Sequence, residues 1–526
     1  MDRMISYKQT TLEERWDAIV IGSGIGGLAT AALLSKCAGK RVLVLERHYA
    51  AGGYTHTFHR PGYEWDVGLH YIGQVLDPDS NVRKAFDYLT DAKLIWNQMP
   101  DVYDRIIVGD QPYDFVTGVE RFRERMTSYF PKEACAINRY IAAVQSAAKA
   151  SNLYFAEKVV PRFLARVAGG ILRAPFMRWG KHTTAEVLDS LTGNRELKGV
   201  LTGQWGDYGL PPNQSSFGIH AIIADHYFNG AAYPVGGASR IAETIAPVIA
   251  QHGGQIVVNA QVNSIVLDGA GATGVRMEDG RELFADIIIS DVGVLNTFGR
   301  LLPRDHTASA ETLRALRNVA PSSAHLCLYV GMKEAAPKGT NLWVLPSYDH
   351  DASLGRYLAD PSMPFPFLFI SFPSAKDPDF PRRYPGRATA EVVAPIPYHL
   401  FATWQDTRWK KRPVEYEAFK KQFAERLQRE LERHAPALAG KIDVAELSTP
   451  VTTRHFMNYP QGEIYGLSST VERFKLRCLN PRTGIRNLYL TGQDIASLGV
   501  TGAMFGGVLA ASAILKRNLM SLFTRK

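Results

Sequence analysis

The chain has 526 residues, 46% hydrophobic and 21% charged, a length and balance that accommodate two or three folding units and exclude disordered and fibrous classes. Its formal charge of +9 favours an anionic partner: nucleic acid, anionic lipid or nothing specific. Cys37, Cys135, Cys327 and Cys478 stand in no metal-gripping spacing, so no metal site is expected and they are read as buried, reduced thiols.

Residues 16–21, WDAIVI, are a short β-branched run leading into GSGIGG at 22–27. Residues 28–38 have helix-forming composition and stop at Gly39, and 41–45, RVLVL, form a second strand ending in Glu46. In that order Gly22 permits the tight turn, Gly24 lets backbone approach a diphosphate, and Gly27 lets the helix pack on the sheet. The diphosphate then faces a helix N-terminus, while Glu46 accepts the ribose hydroxyls and repels a 2′-phosphate, which excludes NADP but not NAD. A lone GxGxxG is weak, but strand, helix and acid in register make a dinucleotide site. A second formal match, Gly269 to Gly274, runs from one strand into another and reads as a hairpin, so the chain carries no dedicated NAD(P)H domain.

After Glu46 the segment RHYAAGGYTHTFHRPGYEWDVGLHYIG, with Gly52, Gly53, Gly62, Asp66 and Gly68, resembles the extended motif of the carotenoid desaturase and amine oxidase superfamily. So do the loop Tyr233-Pro-Val-Gly-Gly, the strand 254–262, the stretch NLYLTGQD at 487–494 and the small-residue helix opening at Gly502. Within that superfamily the chain resembles the all-trans-retinol 13,14-saturase branch from about residue 16 to 519, through GLHYIG, YPVGGAS, FPSAKDPDFPRRYPGRAT and TGQDIASLGVTGAMFGG. It departs at Val235, where arginine is expected, and at Tyr54, where cysteine is expected; both positions bear on which polyene is taken.

The resemblance implies an α/β fold: a Rossmann-type FAD domain split in sequence over 1–80, 226–299 and 446–526, and a mixed sheet and helix substrate domain over 81–225 and 300–445. It implies FAD held by Gly22, Gly24, Gly26, Gly27, Glu46, Arg47, Gly52, Gly53, Val262, Gly492, Asp494 and Gly502, with NAD(P)H entering only as an indirect electron donor. The implied activity is reduction of a polyene or isoprenoid double bond, with desaturation, cis-trans isomerisation and a flavin-free prenyl-lipid escort as alternatives. His70, Tyr71 and Tyr233 are the candidate proton donors. Lys376-Asp377 reads as a turn with a surface ion pair, and Trp205, Tyr208 and Phe217 read as core or tunnel wall.

Between the nucleotide segments, 134–150 and 413–434 pattern as helices, and 325–330 and 365–372 as strands. Residues 155–181 set Lys158, Arg162, Arg166, Arg173, Arg178 and Lys181 among Phe163, Leu164, Val167, Ile171, Leu172, Phe176 and Trp179. Basic residues beside apolar anchors suit a monotopic membrane-docking element, and no nucleic-acid fold signature accompanies them. No charge-free apolar run reaches spanning length, and the N-terminus lacks an apolar signal core, so cytoplasmic residence with peripheral membrane attachment is the expectation.

Overall fold

The computed structural model describes residues 4–160, 162–333 and 338–524. Six parallel strands form one sheet in the spatial order Met4–Ser6, Gln255–Val258, Val42–Leu45, Ala18–Ile21, Ile288–Ser290 and Leu488–Leu490. Its central strands are apolar at nearly every position because both faces are covered. The helix Ile25–Ala38 ends at Gly39, whose left-handed backbone lets its amide close on Ser35. Against it packs Gly499–Leu515, so closely that a Cβ on Gly507 would lie 2.5 Å from Gly26 O.

A seven-stranded mixed sheet forms the second layer, in the order Gln111–Val116, Val102–Val108, Asn341–Leu345, Leu368–Ser371, Arg387–Ile396, Ala324–Lys333 and Ile442–Ser448. Only the pairing of Asn341–Leu345 with Val102–Val108 is parallel. The charged helix Val414–His434 buries Tyr416, Phe423, Leu427 and Leu431 against this sheet. The helix expected at 134–150 runs on as Ala134–Glu157. The strand expected from 365 begins only at Leu368, because Pro364 and Pro366 have no amide hydrogen for a ladder. The second glycine match is a hairpin between Val262–Asp268 and Gly271–Met277, its turn closed by the amides of Ala270 and Gly271 on Asp268.

Two expectations are corrected. Among the cysteines only Cys327 is buried, and Cys135 is exposed. In the basic segment, helix Arg162–Gly180 exposes Val167 and Ile171 by 83% and 76%, with Arg178 and Lys181 also at the surface. Lys158 and Arg173, by contrast, are buried braces: Lys158 donates to the carbonyls of Leu479 (2.8 Å) and Ile495 (2.6 Å), and Arg173 to that of Phe474 (2.7 Å). Carbonyls inside the fold need donors, and these two side chains supply them, with the Tyr154 hydroxyl also reaching Phe474.

Candidate active site

A long cleft begins at the carboxyl edge of the parallel sheet, lined by Gly22, Gly24, Gly26, Glu46, Gly52 and Gly53. Gly22 sits at φ +97°, a backbone state that a side chain strains, and a Cβ on Gly27 would lie 2.5 Å from Gly22 O. Gly27 therefore packs behind the turn rather than lining the cleft. Gly26 meets the other end of the chain: its added Cβ would lie 2.6 Å from Gly492 Cα. Gly492, Asp494, Arg47 and Val262 complete this end of the cleft.

The carboxylate of Glu46 is buried and directed by its neighbours, Oε2 accepting from Ser23 N (2.9 Å) and Ser23 Oγ (2.7 Å), and Oε1 from His48 N (2.8 Å). Arg47 donates to the carbonyls of His455 (2.7 Å) and Phe456 (3.2 Å), which fixes that rim of the cleft. Asp494 is held by the amides of Val294 (2.9 Å) and Leu467 (3.0 Å). Gly502 lies elsewhere: the helix starts three residues earlier than its motif suggests, at Gly499, so Gly499, Val500 and Ala503 reach the cleft and Gly502 faces a neighbouring cavity.

Asp291 was not foreseen. It follows the strand Ile288–Ser290 and places its carboxyl 2.5 Å from where a Cβ on Gly24 would stand. Burial raises its pKa to about 8, the amide of Gly27 works against that, and the charges of Glu46 and Asp494 add to it. The turn thus presents bare backbone beside an uncharged acid, a cradle that fits a dinucleotide diphosphate. An acid at a strand tip on the same sheet edge as Glu46 was the available signal.

At its far end the cleft runs onto the mixed sheet, where Trp343, Phe367 and Phe369 form an aromatic wall near His325 and Cys327. There it meets a second cavity between helices Ala134–Glu157, Phe217–Tyr227 and Gly499–Leu515, and His70, Asp207 and Tyr465 line both. His70 Nδ1 lies 2.8 Å from Glu391 Oε2, at an angle that leaves the contact short of a straight hydrogen bond. Burial drives both toward neutrality, His70 down to about 3 and Glu391 up to about 8.

Lys376 overturns the expectation of an exposed turn: it is 1% exposed and donates to His70 O (3.0 Å), Ser371 Oγ (2.7 Å) and Asn341 Oδ1. Asp377 is buried too, accepting from Arg383 (2.6 Å) and Gly236 N (3.0 Å). Tyr233 does not reach either cavity. Its hydroxyl donates to the buried Asp66, and the glycine loop behind it packs on Asp377 and Glu64. Tyr54 lines the cleft and Val235 does not. Trp205, Tyr208 and Phe217 are core residues.

Residues 20–89 match the NAD(P)-binding Rossmann-like domain family. The human all-trans-retinol 13,14-reductase is 36% identical over 98% of this chain and 88% of its own length. A chloroplastic prolycopene isomerase of Arabidopsis thaliana is 28% identical over 95% of this chain and 83% of its own. Among solved structures a putrescine oxidase variant superposes with a TM-score of 0.60 at 15% identity, covering 96% of this chain and 99% of that one, which is a likeness of fold. At 36% identity over nearly its whole length to the human reductase, the chain belongs to the all-trans-retinol 13,14-reductase family.

Proposed function

We propose that the chain is an FAD-dependent oxidoreductase that reduces a carbon–carbon double bond of a hydrophobic polyene, a retinoid or carotenoid. The observation that carries this reading is a single cleft running from the glycine cradle to the aromatic wall of Trp343, Phe367 and Phe369. Bound there, FAD supplies hydride chemistry at carbon. The backbone at Gly22, Gly24 and Gly26 takes the diphosphate, Glu46 the ribose, the strand edge by Val262 the adenine side, and Asp494 the ribityl side. The wall orients an apolar chain and keeps water from the reacting carbons. On this reading 1–80, 226–299 and 446–526 serve the cofactor, 81–225 and 300–445 serve the substrate, and NAD(P)H acts only as a distant electron source.

The test is anaerobic reduction of the purified flavoprotein followed by all-trans-retinol or a carotene. Reoxidation of the flavin with product two mass units heavier supports the reading. A product two units lighter from oxidised enzyme assigns desaturation, and an unchanged mass with a new isomer profile assigns isomerisation. A colourless, flavin-free protein assigns the prenyl-lipid escort.

Asp291 makes flavin affinity depend on pH. Its folded pKa, about 8, exceeds the ordinary 3.8, so the neutral form persists to mild alkali and ionisation then sets a carboxylate beside the diphosphate. Affinity is expected to fall as pH rises through about 8, with Glu46 and Asp494 as the other charges facing the group. Asp291→Asn should flatten that profile, read by fluorescence of released flavin; parallel profiles for both proteins would remove Asp291 from the site.

Membrane contact is assigned to the helix Arg162–Gly180. No helix among the described residues is long and apolar enough to cross a membrane. Val167 and Ile171, one turn apart, instead project an apolar face, with Arg178 and Lys181 placed for lipid phosphates. This suits peripheral attachment at a cytoplasmic membrane face. Val167→Asp with Ile171→Asp is expected to lose most co-sedimentation with anionic vesicles while keeping its flavin, and undiminished partitioning would count against the assignment.

A further inference from the structure

We propose that the side chain of Asp207 is the proton donor of the reaction, aimed by Tyr71 into the space where the two cavities meet. The inference rests on the polyene reductase reading and names a residue for its proton. Asp207 ends the turn Trp205–Asp207, and Gly206 lets that turn lie flat on the aromatic wall: a Cβ there would stand 2.6 Å from Trp343 and 2.8 Å from Phe367. Asp207 thereby lines both cavities beside His70 and Tyr465.

Counting protons identifies the acid. The Tyr71 hydroxyl lies 2.9 Å from Asp104 Oδ2 and 3.0 Å from Asp207 Oδ2, yet it carries one hydrogen. With both carboxyls ionised, one of these contacts would set two acceptors face to face, so one carboxyl holds a proton. Burial raises the Asp104 pKa too, but Asp104 also accepts from Gln204 (2.6 Å), Asn341 (2.8 Å) and Trp343 (3.1 Å), donors that oppose that rise and that Asp207 lacks. Lys376 stands behind Asn341 as the cation. Asp207 has only Tyr71, and no hydrogen bond from the described residues reaches its Oδ1. Burial, then the charge of Asp104, lift its pKa well above the usual carboxylate range. The other titratable groups around it, buried Tyr103, Tyr208 and Tyr227 and half-buried Tyr465, are phenols that stay neutral.

Neither His70 nor Tyr233 offers this proton. His70 is kept neutral by burial and has no acidic proton at neutral pH, so it serves as wall and, through its carbonyl, as an anchor for Lys376. Tyr233 faces Asp66, away from the cavities. Tyr71 is a positioning residue, stacked on Tyr227 with ring centres 4.3 Å apart and fixed by both acids.

Bound flavin in its two-electron-reduced form would supply the hydride for the C–H bond at one alkene carbon. The Asp207 O–H, which rests on the Tyr71 oxygen, turns to the alkene; that O–H bond breaks, its proton forms the C–H bond at the other carbon, and the π bond is consumed. The Asp207 carboxylate regains a proton from water that enters by the second cavity as product leaves.

Asp207→Asn in the holoenzyme tests this. Wild type minus variant at neutral pH should show an infrared carboxylic-acid carbonyl band, whatever the flavin's redox state. Flavin reoxidation by all-trans-retinol should slow by about 100-fold with flavin content and retinol affinity unchanged. If the Asn variant does not fold, Tyr71→Phe should shift the same band in a protein that keeps Asp207. A missing or unshifted acid band overturns the proposal, as does an Asn variant that saturates retinol like the wild type, and the reductase reading then still stands. Wild-type flavoprotein that saturates no polyene overturns both.

Discussion

Gly26→Val is expected to leave the purified protein without bound flavin and to lower its stability by about 3 kcal/mol, the upper range for overpacking a close contact. The site has no slack. An added Cβ meets Gly492 Cα at 2.6 Å, Gly492 N at 2.7 Å and Asp291 Oδ1 at 2.6 Å, and two of those three atoms are backbone. Relief requires the first glycine turn and the turn after strand Leu488–Leu490 to separate, which opens the cradle between them. Both effects therefore share one cause, and urea unfolding with flavin absorbance should report them together. Full flavin retention at unchanged stability would mean that the two chain ends do not meet across the cofactor site.

That contact also shows what a sequence reading can reach. Strand, turn, helix and acid at 16–46 are local in sequence, so their arrangement is legible there, and the structure has the strand, helix and strand in that order. The hairpin at 262–277 was legible for the same reason, since a glycine turn with no helix after it has only one local outcome. The cleft's far end was not. Lys376 sits in a Lys-Asp-Pro string that locally favours an exposed turn, and its burial is decided by Asn341, Ser371 and the His70 carbonyl, brought together only by the mixed sheet. Tyr233 was misplaced for the converse reason: its loop resembles one that faces a flavin, but its hydroxyl is claimed by Asp66. Arg173 and Lys158 match a surface stripe by composition, although buried carbonyls at Phe474, Leu479 and Ile495 draw them inward.

Lys376→Met carries the second large effect, an expected loss of about 3–5 kcal/mol, as for a buried charge network stripped of one member. Three acceptors lose their donor at once: His70 O, Ser371 Oγ and Asn341 Oδ1. The lysine is also the cation facing Glu391, Asp104 and Asp66, a charge it keeps although burial lowers its pKa to about 8. Glu391, lifted to about 8 by burial, is held from rising further chiefly by this lysine, so removing Lys376 completes its protonation, and Glu391→Gln in the same chain should already have made part of that adjustment. The double variant is then expected to lose less than the sum of the single losses, by at least about 1 kcal/mol. Denaturant unfolding of the four proteins measures this, and strict additivity would mean that Lys376 and Glu391 do not share a charge. Asn341 links the lysine to Asp104, so the same substitution loosens the anchor of Tyr71 and with it the aim of Asp207. Lys376→Met should therefore slow polyene reduction in protein that still binds flavin, since the cradle at Gly22 to Gly27 lies at the opposite end of the cleft.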